Sequence, residues 1–285
     1  MAIVYDKLMR WSFPDIEQRL TKRDAILYAL GLGLGADPLD EKQLRFVYED
    51  GLLSLPTMAV VLGYPGQWAK DPATGLDWVK ILHGEQGIRL HKPLPAEGAV
   101  IGKSRITGIV DKGKERGALI HTEREVFDQA TGDKLATLTS TTFARGDGGF
   151  GGPSGPSKDP HPLPTRKPDL ACDLPTLPQA ALIYRLSGDY NPLHADPKVA
   201  RAAGFKAPIL HGLCSLGVAG HAILKSCCDY DPARFKSLDL RFSAPVYPGE
   251  TIRTEMWREG SVISFRSKVV ERDVVVLNNG RAEVA

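Results

Sequence analysis

Between Gly146 and Pro164 the chain reads GDGGFGGPSGPSKDPHPLP, a run in which eleven of nineteen residues are glycine or proline. Neither residue sustains a helix interior or a central strand. A part before this run and a part after it must therefore fold around separate sets of elements. More prolines follow as far as Pro178, which predicts an extended connection lying across the surface. The expected division is a first domain over 1–145, a linker over 146–178 and a second domain over 179–285. In a chain of 285 residues, both domains then have an ordinary size.

The two parts share an order of elements, helical patterns first and strand patterns after. In the first, Thr21 and Asp24 have the spacing of a capping box, and Ile26, Leu27, Leu30 and Leu34 fall on one helical face. Leu55 to Leu62 reads as a second, shorter helix. Strand patterns follow in IRLHKPL, AVIGKSRITGIVD, GALIHTEREVFD and KLATLTSTTFA, separated by AEG, DKGKERG and QATGD turns. In the second part, Gln179–Leu186 and His211–Cys228 read as helices. The strands SLDLRFSAP, TIRTEMWRE, SVISFRSKVVE and VVVLNNGRAEV come after them. Strands grouped after helices, without βαβ alternation, predict an α+β fold with antiparallel sheets, made of two copies of one unit.

Composition excludes several function classes. A net charge of +2 is too small to advertise a nucleic acid or an anionic membrane as partner. No stretch approaches the ~20 apolar residues that span a bilayer, and the first residues carry no apolar leader run. Cys172, Cys214, Cys227 and Cys228 contain no C-x-x-C pair and read as reduced thiols. The expected location is cytoplasmic.

Chemistry concentrates in Tyr184-Arg-Leu-Ser-Gly-Asp-Tyr-Asn-Pro-Leu-His194. Gly188, Asn191 and Pro192 make this a tight turn, and within six residues it holds Asp189, Asn191 and His194. A carboxylate and an imidazole on one short loop can flank a single water and move its protons. Asx turns and a packed histidine would use the same residues without chemistry. Downstream, His211-Gly212 opens a long helix directly after Pro208-Ile-Leu. The first N–H groups of a helix lack internal partners, and glycine there lets a ligand oxygen approach. A thioester carbonyl at that point would find an oxyanion hole.

The run Tyr184 to His194, continued through Ile209-Leu-His-Gly212, resembles the signature of MaoC-like (R)-specific enoyl-CoA hydratases, including the hydratase region of peroxisomal type-two multifunctional enzymes. RDAILYALGLG, Ile81-Leu-His-Gly-Glu-Gln86 and the Lys112 turn resemble the first half of the two-domain members. The resemblance implies a double hot-dog fold in which each half wraps a sheet around a central helix. It implies a catalytic second half and a first half that helps enclose the acyl chain. Carried over residue by residue, Asp189 and His194 become the acid–base pair, Asn191 an orienting side chain and Gly212 the oxyanion N–H. His83, Gly84, Lys112, Tyr190, Pro192, Leu193 and Phe242 fall where the family contacts the CoA ester.

The implied reaction is reversible addition of water to trans-2-enoyl-CoA, giving (3R)-3-hydroxyacyl-CoA. It needs no metal and no cofactor beyond the CoA of the acyl-CoA substrate. Which of Asp189 and His194 is the base depends on their coupled titration and is not legible in sequence. A homodimer of two such chains is allowed, not required. Dehydration of carrier-protein thioesters and thioester binding without catalysis are the other readings these residues leave open. The repeated Ile-Leu-His-Gly lacks the companions of a zinc site, the glycines of LGLGLGADP do not form G-x-G-x-x-G after a strand, and His91, His121, His161 and His221 read as surface or core residues.

Overall fold

The computed structural model describes residues 3–155 and 159–285. Met1 and Ala2 of the N-terminus, and Pro156, Ser157 and Lys158 of the expected linker, lie outside the described residues. The first half runs α1 (Tyr5–Met9), β1 (Ile16–Leu20), α2 (Lys22–Gly31), α3 (Glu41–Leu44), a 3-10 helix Pro56–Val61, β2 (Ile81–Leu90), β3 (Gly98–Asp111), β4 (Ala118–Asp128) and β5 (Lys134–Ala144). The second runs β6 (Leu170–Pro175), α4 (Ala180–Tyr184), α5 (Pro197–Ala202), α6 (Gly212–Cys228), β7 (Phe235–Phe242), β8 (Thr251–Glu259), β9 (Val262–Val269) and β10 (Val274–Val284).

All these strands join one antiparallel sheet in the order β1-β3-β4-β5-β2-β7-β10-β9-β8-β6. The order is symmetric about the β2–β7 seam: β2, β5, β4, β3 and β1 on one side answer β7, β10, β9, β8 and β6 on the other. The two halves are therefore copies of one unit, fused edge to edge. At the seam Glu85 to Arg89 pair with Arg241 to Ser237, Arg241 ion-pairs with Glu85, and the Thr141 hydroxyl donates to Glu85 Oε2 at 2.8 Å.

In the second half the sheet wraps α6, whose neighbours include β6, β7, β8 and β10. Thirteen of its seventeen residues are buried, as expected of a helix enclosed on nearly every side. Gly217 and Gly220 let it approach the first half closely, since a Cβ at Gly220 would sit 2.3 Å from Thr57 Cγ2 and one at Gly217 2.6 Å from Leu32. This is the double hot-dog arrangement, with one departure from even halves. Over the first sheet the segment expected as a second helix is the six-residue 3-10 helix Pro56–Val61, which packs on β2 and β5, while α2 packs on α4. Proline opens that segment and β-branched Val60 and Val61 close it, which disfavours a longer helix. The Thr21 capping box forms as spaced: the Thr21 hydroxyl accepts from Asp24 N–H, and Asp24 accepts from Thr21 N–H at 2.9 Å.

The expected linker holds an element of its own, because Leu170–Pro175 pairs with β8 as edge strand β6. Upstream of it, the Asp111 carboxylate accepts from the N–H groups of Gly149 and Gly151 at 2.7 and 2.9 Å. His161 then meets Ser264 at 2.8 Å on β9, and Trp257 Nε1 donates to the Arg166 carbonyl at 2.8 Å. The connection is thus tied first to the end of β3 in the first half and then to β8 and β9 of the second.

Candidate active site

After α4 a 3-10 turn, Arg185–Ser187, ends at Gly188 with φ +123°, a conformation that favours glycine. The chain then turns twice on side chains. Asp189 Oδ1 accepts from Asn191 N–H at 3.1 Å, and Asn191 Oδ1 accepts from Leu193 N–H at 3.1 Å. That second bond caps the 3-10 turn Pro192–His194, with Pro192 at its first position. Asn191 therefore holds the loop in shape with its oxygen, and the two turns carry Asp189 and His194 to one place.

His194 is buried, and its Nδ1 donates to the Ile209 carbonyl at 2.8 Å. Its ring stacks on His211, with centroids 3.7 Å apart and planes 27° apart. His211 is also buried and donates from Nε2 to the Asp189 carbonyl at 3.1 Å, leaving Nδ1 buried with no partner. Ligand atoms of Asp189, His194 and His211 lie within 4.8 Å of one another.

Burial lowers His194 from the usual histidine range, while the Ile209 carbonyl and the Asp189 charge act the other way. Burial and the adjacent His194 together bring His211 down to about 4. With Nδ1–H committed to Ile209, neutral His194 presents Nε2 as an acceptor.

Gly212 opens α6, and the first intrahelical bonds run from Cys214 and Ser215 N–H to the His211 carbonyl at 3.0 and 3.1 Å. The Gly212 N–H precedes them, at the positive end of the helix. A Cβ on Gly212 would lie 3.1 Å from the Phe242 ring, and Phe242 lies 4.7 Å from the His83 ring. The start of α6, the end of β7 and the start of β2 thus converge. Gly84 sits at a register irregularity between His83 and Glu85, where a Cβ would come 3.1 Å from the Thr141 carbonyl. Burial pulls His83 down to about 4, and its Nε2 lies 3.1 Å from the Glu85 carbonyl and 2.9 Å from the Ser140 hydroxyl.

The remaining expected contacts are more peripheral. Tyr190 is exposed, with Arg185 5.0 Å from its ring centroid. Lys112 lies at the β3–β4 turn, two strands across from β2, at the end of the sheet where His83 lies. A cavity of about 630 Å³ on the β1 edge, lined by Gln18, Arg19 and Gln129 among others, includes none of these residues.

Residues 160–280 match the MaoC like domain, and residues 19–146 the MFE-2 hydratase 2 N-terminal domain. The chain is 41% identical to enoyl-CoA hydratase 2, peroxisomal, of Arabidopsis thaliana, over 95% of this chain and 93% of that one. This chain belongs to the MaoC-like hydratase 2 family. A probable enoyl-CoA hydratase 2 of Dictyostelium discoideum is 40% identical over 99% of this chain and 97% of its own. The crystal structure of a MaoC-like dehydratase from Phytophthora capsici superposes with a TM-score of 0.87 at 35% identity, covering 99% of this chain and 98% of that one.

In this MaoC-like hydratase one member of the constellation lies outside the expected site residues: His211, whose ring stacks on His194 and whose Nε2 ties the start of α6 to the Asp189 backbone. The signal available was its position next to Gly212. The other four histidines each meet a hydroxyl: His91 with Thr137, His121 with Thr141, His161 with Ser264 and His221 with Tyr230.

Proposed function

We propose that this protein hydrates trans-2-enoyl-CoA to (3R)-3-hydroxyacyl-CoA, reversibly, in fatty acid metabolism. The observation that carries the reading is the placement of Asp189 and His194 together beside the N-terminus of α6, in a chain 41% identical to a protein named enoyl-CoA hydratase 2.

In this reading the thioester oxygen lies against Gly212 N–H and the water sits between Asp189 and His194 Nε2. As the water oxygen bonds to C3, Nε2 takes one of its protons while the Asp189 carboxylate accepts a hydrogen bond from the other. The electron pair of the double bond moves toward the thioester oxygen, where the Gly212 N–H and the helix end stabilise the charge, an effect commonly worth ~10²–10³ in rate per donor. Returning the proton from Nε2 to C2 restores the carbonyl and the neutral imidazole. One H and one OH have been added, and the scheme calls for no electron carrier. Asn191 keeps the loop in register, while His83, Gly84, Lys112, Tyr190, Pro192, Leu193 and Phe242 are the proposed contacts of the ester.

Four free, buried cysteines fit the reducing, cytoplasmic setting expected from the sequence. No described helix is long and apolar enough to cross a membrane. The Arabidopsis relative is named as peroxisomal, and the proposed chemistry works in either compartment. The acyl-CoA is the one partner the scheme requires, and a homodimer is compatible with it. Incubation with trans-2-enoyl-CoA, followed by loss of enoyl absorbance and chiral resolution of the product, tests the reading. The (3R)-alcohol is expected; an unchanged enoyl ester or the (3S)-alcohol refutes it.

A further inference from the structure

One residue meets both groups that handle the water and adjoins the third, yet the proposed reaction gives it no step. His211 caps α6 and is 1% exposed. Its Nε2–H donates to the Asp189 carbonyl at 3.1 Å, and its ring stacks on His194 with centroids 3.7 Å apart. Its own carbonyl belongs to the peptide unit that carries the Gly212 N–H, and accepts from Cys214 and Ser215 N–H in the first turn of α6. The segment leading to it is pinned as well. Leu210 N–H donates to the Val246 carbonyl at 2.7 Å, and the Ile209 carbonyl accepts from His194 Nδ1 at 2.8 Å. Tyr184 at the end of α4 brings its buried ring to 5.0 Å from the same imidazole.

The bond to Asp189 also fixes the tautomer. With the proton on Nε2, Nδ1 is a bare acceptor, and it is buried with no partner. A second proton there would find no acceptor among the described residues, which is costly in a buried site. His211 therefore stays neutral while His194 takes the proton of the water, and two imidazolium rings do not face each other at stacking distance. The charges that reach the pair are Asp189, on the same loop, and Arg185, just after α4. Tyr184, Cys214 of α6 and His83 of β2 are held neutral by desolvation.

We propose that His211 is a positioning residue for hydration: its imidazole ties the loop of Asp189 and His194 to the peptide that carries the Gly212 N–H, and its face holds the plane of the His194 ring. The inference rests on the hydratase reading above. Water, C3 and the thioester oxygen react only if the loop and the helix end keep their separation, and such groups must be held to within about 0.5 Å. The loop and the helix end are separate elements, and one side chain that bonds the first and belongs to the second fixes that separation.

The test uses the full-length protein and two variants, with folding followed by circular dichroism. His211→Phe keeps a ring for stacking and loses the donor, whereas His211→Gln keeps an N–H in place of Nε2 and loses the ring face. Each should lower kcat on trans-2-enoyl-CoA by about tenfold or more, the scale of a displaced reacting group, with KM changed far less. In His211→Gln the acidic limb of kcat/KM should also move up toward 6.5, because one face of His194 is uncovered and burial then lowers it less. Wild-type kcat in either folded variant overturns the proposal. So does a loss of kcat with the limb unmoved in His211→Gln, the mark of a residue that only supports the fold. Nitrogen NMR of the wild-type histidine rings decides the matter if the variants fail to fold. His211 should hold its Nε2–H tautomer and stay neutral below the pH at which His194 protonates; an Nδ1–H tautomer or earlier protonation overturns the proposal. A wild type that turns over no enoyl ester overturns the hydratase reading and this role with it, whereas the other outcomes overturn the role alone.

Discussion

His194 and His211 each commit one ring nitrogen to a backbone carbonyl, but to opposite effect. His194 spends Nδ1 on Ile209 and keeps Nε2 for chemistry. His211 spends Nε2 on Asp189 and keeps a buried, unpartnered Nδ1. In the proposed mechanism a neutral His194, with Nε2 left over from its bond to Ile209, therefore serves as the base. The spacing of Asp189, Asn191 and His194 was legible because one short loop carries all three. The His211 stacking was not, because it joins residues on different elements. A base must be unprotonated to act, and burial lowers the pKa of His194. The acidic limb of kcat/KM should therefore fall below the ordinary histidine value of about 6.5. A limb at or above that value in the pH–rate profile would contradict this assignment.

At the scale of elements, ten of the segments read as helix or strand form within a few residues of expectation, from the capping box at Thr21 to β10. Two strands were missed, β1 and β6, and they occupy the same place in the two halves: the outer edges of the sheet. An edge strand pairs on one side only, and these two are 5 and 6 residues long with few buried positions, so the alternation that reveals a strand is faint. The start of β2 was hidden for another reason, a register irregularity at Gly84 that interrupts the period of two. Gly212 shows how closely elements meet at the site. A side chain there would press on Phe242, whose ring is 3.1 Å from the added Cβ. Gly212→Val should lower kcat/KM by about 10², the usual result of moving a reacting group by an ångström, with the melting temperature little changed. Unaltered steady-state kinetics would show that α6 does not position the thioester.

Across the whole molecule, fusing two units along β2–β7 puts the start of β2 against the end of β7 and the start of α6, so residues of both halves meet at the proposed site. The sequence showed the duplication through matched element order, whereas the continuous sheet depends on the seam between Glu85–Arg89 and Ser237–Arg241. The fused core also holds the partly buried His83 and the buried His211 and His221 in neutral form, each brought down by desolvation to about 4. Unfolded histidines take up protons near 6.5 while these do not, at about 1.4 kcal/mol per pH unit for each group. Their contribution is fully present above 6.5 and is lost as pH falls toward 4. The urea midpoint should drop over that window, and a flat profile would show that these histidines protonate freely in the fold. In the proposed reaction one loop holds Asp189 to orient the water and His194 to take and return its proton. The most direct test of that reaction is the turnover of trans-2-enoyl-CoA by Asp189→Asn and His194→Gln, each verified as folded by circular dichroism. A fall in kcat of about 10²–10⁴ in both is predicted, and near wild-type turnover by either folded variant would contradict it.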